Sequence, residues 1–532
     1  MTSRESLVEW VELYDTTLRD GAQTWGITFS LDDKLRIASK LDEIGIDIIE
    51  GGYPGSNPKD RRFFEAVRRL PLKRSAIAAF GSTCKAELSP ENDSQVAALL
   101  NAGTEVITIV GKSWDLHVKQ VLGASLRRNL DMISDTLGFL RPRCAKIIFD
   151  AEQFFDGFTK NREYALATLH AAKSASADLL VLCDTNGGAL PSEISSIIGA
   201  VRAEINTPLG IHAHNDSDTA VANSLAAVEA GAVHVQGTIN AIGERCGNAN
   251  LISLIPALCL KMGRLPRNPE LLKRLKHVSE FVDEMANRTP LKSRPYVGAA
   301  AFAHKAGFHA SAVLKNPAAY EHIDPELVGN RRIFPVSEQT GRAAILRKAE
   351  RYGIHPAPDD RAVGEILKTI KDLEAIGAHY EIADASFELL LKRTLGLHKK
   401  FFTLHGFQVS NVKRQGDTRT YADAIVRIVV GDKMEFSAAE GNGPVNALDL
   451  ALRKALLAFY PNVSEVLLTD FKVRVIEGSR GTGATVRVLI ESTDREDTWW
   501  TVGFSENVIQ ASWDALVDSI DYKLQKDLGG RE

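Results

Sequence analysis

Between residue 11 and about residue 265, short apolar runs rich in β-branched residues alternate with longer stretches whose apolar positions recur every three to four residues. The short runs cover 11–16, 46–51, 75–81, 105–111, 145–151, 179–184, 208–214 and 233–239. Runs of this length, apolar on both faces, predict buried strands. Each of the first seven is followed by a helical pattern, as in Asp32 to Gly45, Asn161 to Ser176 and Asp218 to Gly231. A strand-helix rhythm demands parallel pairing, and eight such units predict an α/β fold, a (β/α)8 TIM barrel over residues 1–270.

From 271 to 398 the pattern is helical but irregular, broken by Pro290, Pro295, Pro317, Pro325, Pro335 and Pro356. This predicts a mostly helical connector of small subdomains. Beyond it, strand-like runs at 401–412, 420–430 and 433–439 precede a helix at about 444–459. Runs at 466–476, 484–492 and 498–504 precede another at about 507–524. Three strands and a helix, twice, predict a two-layer α+β domain over 399–532. The glycine-rich segments Glu440 to Gly443 and Gly478 to Gly483 read as ordinary hairpin and capping turns.

Composition narrows the function classes. At 532 residues the chain is too long for one core, and a formal net charge of −4 gives no reason to expect nucleic acid. Cys84, Cys144, Cys183, Cys246 and Cys259 follow no regular spacing, as expected of reduced thiols in a cytoplasmic protein. Cys246 alone falls near the candidate chemistry, as a small residue in a tight turn. Met1 to Trp10 reads as neither signal peptide nor anchor, and no stretch reaches the length of a membrane span.

Candidate chemistry begins in the seventh strand, Gly210-Ile211-His212-Ala213-His214. Side chains two apart on a strand share a face, so His212 and His214 aim at one spot; two satisfied core histidines are the competing reading. Far upstream, the first strand ends in Arg19 and Asp20, which alone would pass for a surface ion pair. In a closed barrel, strand 8 lies between strands 7 and 1, so the outer two are roughly 10 Å apart. Asp20, His212 and His214 then converge at the C-terminal mouth, where barrel enzymes keep their chemistry. The loop after strand 8, Gly243-Glu244-Arg245-Cys246-Gly247-Asn248, adds an amide from Asn248. One carboxylate, two imidazoles and an amide, without thiolate, suit Mg²⁺ or Mn²⁺, with Zn²⁺ or Co²⁺ still open.

The run Asp15-Thr16-Thr17-Leu18-Arg19-Asp20-Gly21-Ala22-Gln23, the His212-Ala213-His214 strand and the 243–248 loop together resemble the DRE-TIM metallolyase superfamily. Within it, the chain is similar to the Claisen-condensing synthases of 2-isopropylmalate, homocitrate and citramalate over almost its whole length. The segments Glu50 to Asp60 and Tyr320 to Asn330 are most similar to the citramalate-forming branch, with Tyr53 standing where related chains carry tryptophan. The resemblance implies condensation of acetyl-CoA with pyruvate and water to give (R)-citramalate and CoA, at the entry into isoleucine synthesis. Condensation with another 2-oxo acid, as in 2-isopropylmalate or homocitrate synthases, is the near alternative.

The same resemblance implies roles for individual residues. Asp20, His212, His214 and Asn248 hold the metal. Arg19 is catalytic and, with Gln23, Glu50 and Thr185, contacts substrate. Glu152 takes part in proton chemistry, and His309 and Tyr320 act on acetyl-CoA, in the partner subunit's site; His304 competes with His309 for that role. Glu50 reads equally as a supporting partner of Arg19, and Lys112 as a solvated lysine. From about 399 onward the chain resembles a regulatory dimerisation domain, which implies a homodimer or higher homo-oligomer and an isoleucine-like effector. Two other classes stay in view: C–C bond cleavage by the same barrel, and a metabolite sensor whose barrel has lost activity.

Overall fold

The computed structural model describes residues 10–265, 269–335, 342–357, 361–375, 380, 382–413, 420–476, 481 and 483–529. Met1 to Glu9 and most of the turn at 478–483 lie outside the described residues. The described chain divides into two compact units, one reaching to Phe302 and including Ile323–Arg331, the other comprising Ala303–His322 and the chain from Arg332 onward.

In the first unit, all eight predicted strands are present and close into a parallel barrel in chain order. They are β1 (Glu12–Asp15), β2 (Ile48–Gly52), β3 (Ala76–Ser82), β4 (Val106–Lys112), β5 (Lys146–Glu152), β6 (Leu179–Asp184), β7 (Leu209–Ala213) and β8 (His234–Gly237). Closure is made by β8, which pairs Glu12 with His234 and Asp15 with Gly237 on one side, and His212 with Gln236 on the other. Apolar side chains of alternate positions, among them Tyr14, Ile48, Ala78, Val106, Ile148 and Val181, form a separate buried cluster. The larger core lies between the strands and the surrounding helices. The helix Leu31–Glu43 contributes Ile37, Ala38 and Leu41 to it. That helix starts at Ser30, whose hydroxyl accepts from Asp33 N while the Asp33 carboxylate accepts from Ser30 N. Such reciprocal capping satisfies two donors that a helix start otherwise leaves unpaired. The helix Leu275–Met285 adds Leu275, Val278 and Val282 to the same core.

The second unit contains two antiparallel sheets, each three strands long. β9 (Thr403–Val412), β10 (Tyr421–Val430) and β11 (Lys433–Gly441) order as β11-β10-β9, and β12 (Leu467–Val475), β13 (Val486–Thr493) and β14 (Thr498–Ser505) as β12-β13-β14. The predicted arrangement of three strands and a helix, twice, is therefore present. Ala422, Ala424, Val426 and Ile428 of β10 share a buried cluster with Ala447, Leu448, Ala451 and Leu452 of the helix Pro444–Leu457. The second half packs the helix Val508–Gly529 on β13 and β14 at close range, because Gly503 leaves room: a Cβ there would lie 2.0 Å from Ala511 O. The same helix also lends Trp513, Ile520 and Leu524 to the cluster of the first sheet, and Trp513 stacks on Phe407 of β9 with ring centroids 5.1 Å apart, so the two halves share one core.

Polar groups also sit among the strands of the barrel, with His234 buried and Glu12 and Lys146 partly so. Glu12 accepts from Lys146 Nζ at 2.5 Å and lies 2.7 Å from His234 Nδ1. Burial by itself pushes the Glu12 carboxyl up, but His234 and Lys146 outweigh it and hold the group at about 2. A carboxyl lowered by folding contributes stability above its unfolded value, lost as pH falls through the folded one. Glu12→Gln is expected to cost about 1–2 kcal/mol at pH 7. It should also flatten the urea-denaturation stability profile between about pH 4.5 and pH 2; an unchanged slope in that window would refute this coupling.

Candidate active site

Alternate side chains along the barrel strands change character toward the C-terminal ends. On β5, Ile148 is followed by Asp150 and Glu152; on β6, Val181 is followed by Cys183 and then Thr185; on β7, Gly210 is followed by His212 and His214. The C-terminal ends border a cleft of about 790 Å³, with Asp20, Asp150, Glu152, Thr185, His212 and His214 on its walls. A cavity of this size accommodates a small acid and part of a larger co-substrate.

Asp20, His212 and His214 meet there, all buried, with their candidate ligand atoms within 4.8 Å of one another. His212 Nε2 lies 3.2 Å from His214 Nε2, and Asp20 Oδ2 lies 3.4 Å and 3.8 Å from those two nitrogens. An octahedral ion with ligand bonds of about 2.1 Å needs adjacent donors roughly 3 Å apart, so the cluster is near that spacing. Asn248 Nδ2 lies 3.1 Å from Asp20 Oδ2 and 3.2 Å from His212 Nε2, while its Oδ1 is buried without a hydrogen-bond partner. Turning the amide over exchanges the two atoms and aims an oxygen at the cluster. Two imidazoles, a carboxylate and an amide oxygen therefore fit a divalent cation.

The loop that carries Asn248 is held by specific contacts. Thr24 Oγ1 bonds Gly243 N at 2.6 Å and Gly243 O at 3.1 Å. Arg245, in the left-handed region at φ 55°, forks onto Asp216 at 2.8 and 2.9 Å and reaches Thr185 O at 2.7 Å. Behind the turn, Asn215 N donates to Gly247 O and Ala249 N to Ala213 O, stitching the loop to the end of β7. Gly247 has φ 89°, and a Cβ on it would meet Ala241 O at 1.8 Å.

Arg19 is anchored on three sides. Its Nε donates to Glu50 Oε1 at 2.5 Å, its Nη1 lies 3.4 Å from Asp20 Oδ2, and its guanidinium carbon sits 3.9 Å above the Phe80 ring. Glu50 is fully buried beneath it. Burial opposes the charge on Arg19, but Glu50 and Asp20 outweigh it and raise its pKa. For Asp20, burial is likewise overcome, by Arg19 and then His212, so its carboxyl is held well below the usual range. Burial, with His212 beside it, pushes His214 down to about 4, leaving a neutral ring with a lone pair to offer.

The remaining predicted residues fall in two places. Exposed Gln23, in the turn Gly21–Gln23, and Thr185 both border the cleft, and Thr185 Oγ1 accepts from Gln153 N at 2.9 Å. Glu152 borders it too, ion-paired to Lys112, so Lys112 is not the solvated lysine expected from the sequence. His309 and Tyr320 belong to the second unit, where their rings pack against each other at a tilt of 33° with centroids 4.2 Å apart. In the same unit His304 Nε2 lies 3.1 Å from Glu321 Oε1, and Arg332 Nε donates to the other oxygen of that buried carboxylate at 2.6 Å.

Sequence reasoning missed Phe80, Asp150 and Gln236. Their common signal is present in the chain: a polar or aromatic residue at an alternate position of an otherwise apolar barrel strand.

Family comparisons agree with this architecture. The model described as HMGL-like matches residues 10–282, the homocitrate synthase post-HMGL domain-like model matches 296–378, and the LeuA allosteric (dimerisation) domain model matches 381–524. The (R)-citramalate synthase of Geobacter sulfurreducens is 54% identical over 516 residues, covering 97% of this chain and 98% of that one. The chain belongs to the citramalate synthase family. The (R)-citramalate synthase of Aquifex aeolicus is 52% identical, with 98% of this chain and 99% of that one covered. A 2-isopropylmalate synthase of Methanocaldococcus jannaschii is 32% identical, at 97% and 95% coverage. The citramalate synthases of Geobacter sulfurreducens and Aquifex aeolicus match this chain from end to end more closely than that enzyme does.

Gly243 offers a test of the candidate centre, because a Cβ there would lie 1.8 Å from Asn248 Oδ1. Gly243→Ala is expected to displace Asn248 and weaken Mn²⁺ binding by about tenfold or more, with thermal stability little changed. Calorimetric titration reads the affinity; wild-type binding by the variant would remove Asn248 from the ligand set.

Proposed function

We propose that this chain joins acetyl-CoA to pyruvate with consumption of water, releasing (R)-citramalate and free CoA. The observation that carries this reading is the buried Asp20-His212-His214 cluster beside Arg19, in a chain 54% identical end to end with an (R)-citramalate synthase. No helix among the described residues is long and apolar enough to cross a membrane.

A divalent cation, Mg²⁺ or Mn²⁺ by donor type, would supply Lewis-acid polarisation of the oxo group of the acid. Asp20, His212, His214 and Asn248 would hold it. Arg19, fixed by Glu50 and Phe80, stabilises negative charge developing on the ketone oxygen. The Thr185 oxygen already accepts from Gln153 N, which leaves its hydroxyl hydrogen to donate to the oxo-acid carboxylate. Gln23 completes the substrate contacts; Glu50, expected to contact substrate, is instead fully buried and off the cleft wall, and acts only through Arg19. Glu152, beside Lys112, serves in proton transfer at the mouth.

A proton must leave the methyl group of acetyl-CoA before the new C–C bond forms. We assign that step to His309 with Tyr320, contributed by the second unit of a partner subunit. His304 is committed to Glu321, whereas His309 packs against a tyrosine that is itself exposed. The condensation leaves a thioester whose hydrolysis releases the CoA thiol and makes the reaction irreversible.

Pyruvate, acetyl-CoA and Mn²⁺ together are expected to release thiol. Asp20→Ala and His212→Ala should each lower kcat by about three orders of magnitude or more. His309→Ala should lower kcat by about 10²- to 10⁴-fold at unchanged Tm, whereas His304→Ala should lower Tm. A substrate panel separates this reading from its neighbour: faster turnover of 2-oxoisovalerate or 2-oxoglutarate than of pyruvate would replace it by a 2-isopropylmalate- or homocitrate-type condensation.

The second unit supports regulation. Met434 and Phe436 on β11, and Phe471, Val473 and Val475 on β12, are exposed apolar side chains within the region matched by the LeuA allosteric (dimerisation) model. We read them as covered by a second copy of the chain, with isoleucine or a similar branched-chain amino acid as effector. Phe471→Asp is expected to weaken self-association in sedimentation, to abolish inhibition by isoleucine, and to lower thiol release at protein concentrations where the copies separate, because His309 is then withdrawn from its partner's site. Full inhibition in that variant would place the effector elsewhere.

A further inference from the structure

Gln236, fully buried on β8, stands in register with His212 on β7. Its Oε1 lies 2.9 Å from His212 Nδ1, and its Nε2 donates to Asp150 Oδ1 at 3.0 Å. Asp150 is itself buried, on β5. A chain of three side chains from three strands thus ends on one of the candidate metal ligands. It is not part of the function assigned above.

We propose that Gln236 is a positioning residue for the metal centre: locked by Asp150, it holds His212 as the Nδ1–H tautomer and so presents the Nε2 lone pair to the ion. The inference rests on the metal reading of Asp20, His212 and His214. A primary amide has one donor end and one acceptor end, and its orientation must match both neighbours. An ionised Asp150 carboxylate can only accept at Oδ1, so the NH₂ end of Gln236 faces Asp150. The carbonyl end then faces His212 Nδ1, which must donate.

The reverse orientation would set the amide oxygen against Asp150 and point the NH₂ group at Nδ1. The ring proton would then move to Nε2, where the ion has to bind. His214 offers a contrast, because its Nδ1 is buried with no hydrogen-bond partner. Of the two imidazoles, His212 is the one whose tautomer the barrel specifies. A partner on the distal nitrogen also fixes ring orientation and raises ligand basicity.

The test is Mn²⁺ binding to the full-length protein, followed by electron paramagnetic resonance. Gln236→Met keeps the length of the side chain but has no acceptor oxygen, and is expected to weaken Mn²⁺ binding about 10- to 100-fold. Gln236→Glu retains an acceptor opposite Nδ1, and should stay within a few-fold of wild type. A Gln236→Met protein that binds Mn²⁺ as tightly as wild type overturns the proposal.

Should that variant fail to fold, ¹⁵N-histidine NMR of the wild-type, metal-free protein, read at a pH above which the histidine signals no longer move, still decides. The expected His212 signal, identified by its absence in His212→Asn, shows a protonated Nδ1 and a bare Nε2; a protonated Nε2 overturns the proposal. Absence of Mn²⁺ binding by wild type would instead sink the metal centre, and the tautomer measurement would still judge Gln236.

Discussion

The pairing of β8 with both β1 and β7 is the constraint on which the candidate site depends. Asp20 and His212 are separated by most of the barrel sequence, yet Asp20 Oδ2 and His212 Nε2 come within 3.4 Å because β8 bridges their strands. Parallel strands buried on both faces have no stable open edge, so closure both hides the backbone groups of β1 and β8 and assembles the mouth. An open sheet of the same strands would leave the carboxylate and the imidazoles at opposite margins.

Convergence puts charged groups where water is scarce. Isolated, each would lose much of its hydration energy; paired, Arg19 compensates Glu50 and Asp20, and the Phe80 ring covers the guanidinium. The loop after β8 shows how geometry is held against local preference. Asn240, Ala241 and Arg245 all adopt positive φ, a conformation that side-chain-bearing residues seldom take, and contacts from Thr24 and Asp216 keep the turn in place. Glycine at 243 leaves the space that the Asn248 amide occupies.

The second unit uses different physics. Val488 and Ile490 of β13 pack on the helix Val508–Gly529, while Leu489 and Val502 share a buried cluster with Ile366, Ile370 and Phe387, so the second sheet is covered on both faces. Met434, Phe436, Phe471 and Val473 remain exposed on strands of the region matched by the LeuA allosteric (dimerisation) domain model.

Much of this was legible in the chain. Apolar runs and helical periodicity are local signals, and they placed every barrel strand and both three-strand halves of the second unit. The spacing of His212 and His214 put two imidazoles on one face, again a matter of neighbouring residues. What the amino-acid order left open is which distant groups touch. The Glu50 carboxylate beneath Arg19, the Phe80 ring below its guanidinium, Lys112 beside Glu152 and the Asp150-Gln236-His212 chain depend on register and barrel closure, which no short window of sequence encodes. His304 and His309 make the same point: one residue type within one short segment, separated only because Glu321 and Arg332 fold onto the first and Tyr320 packs against the second. Local periodicity determines the elements, while side-chain partnerships arise from the closed sheet, because long-range contacts form only after the chain has paid the entropy of bringing its ends together.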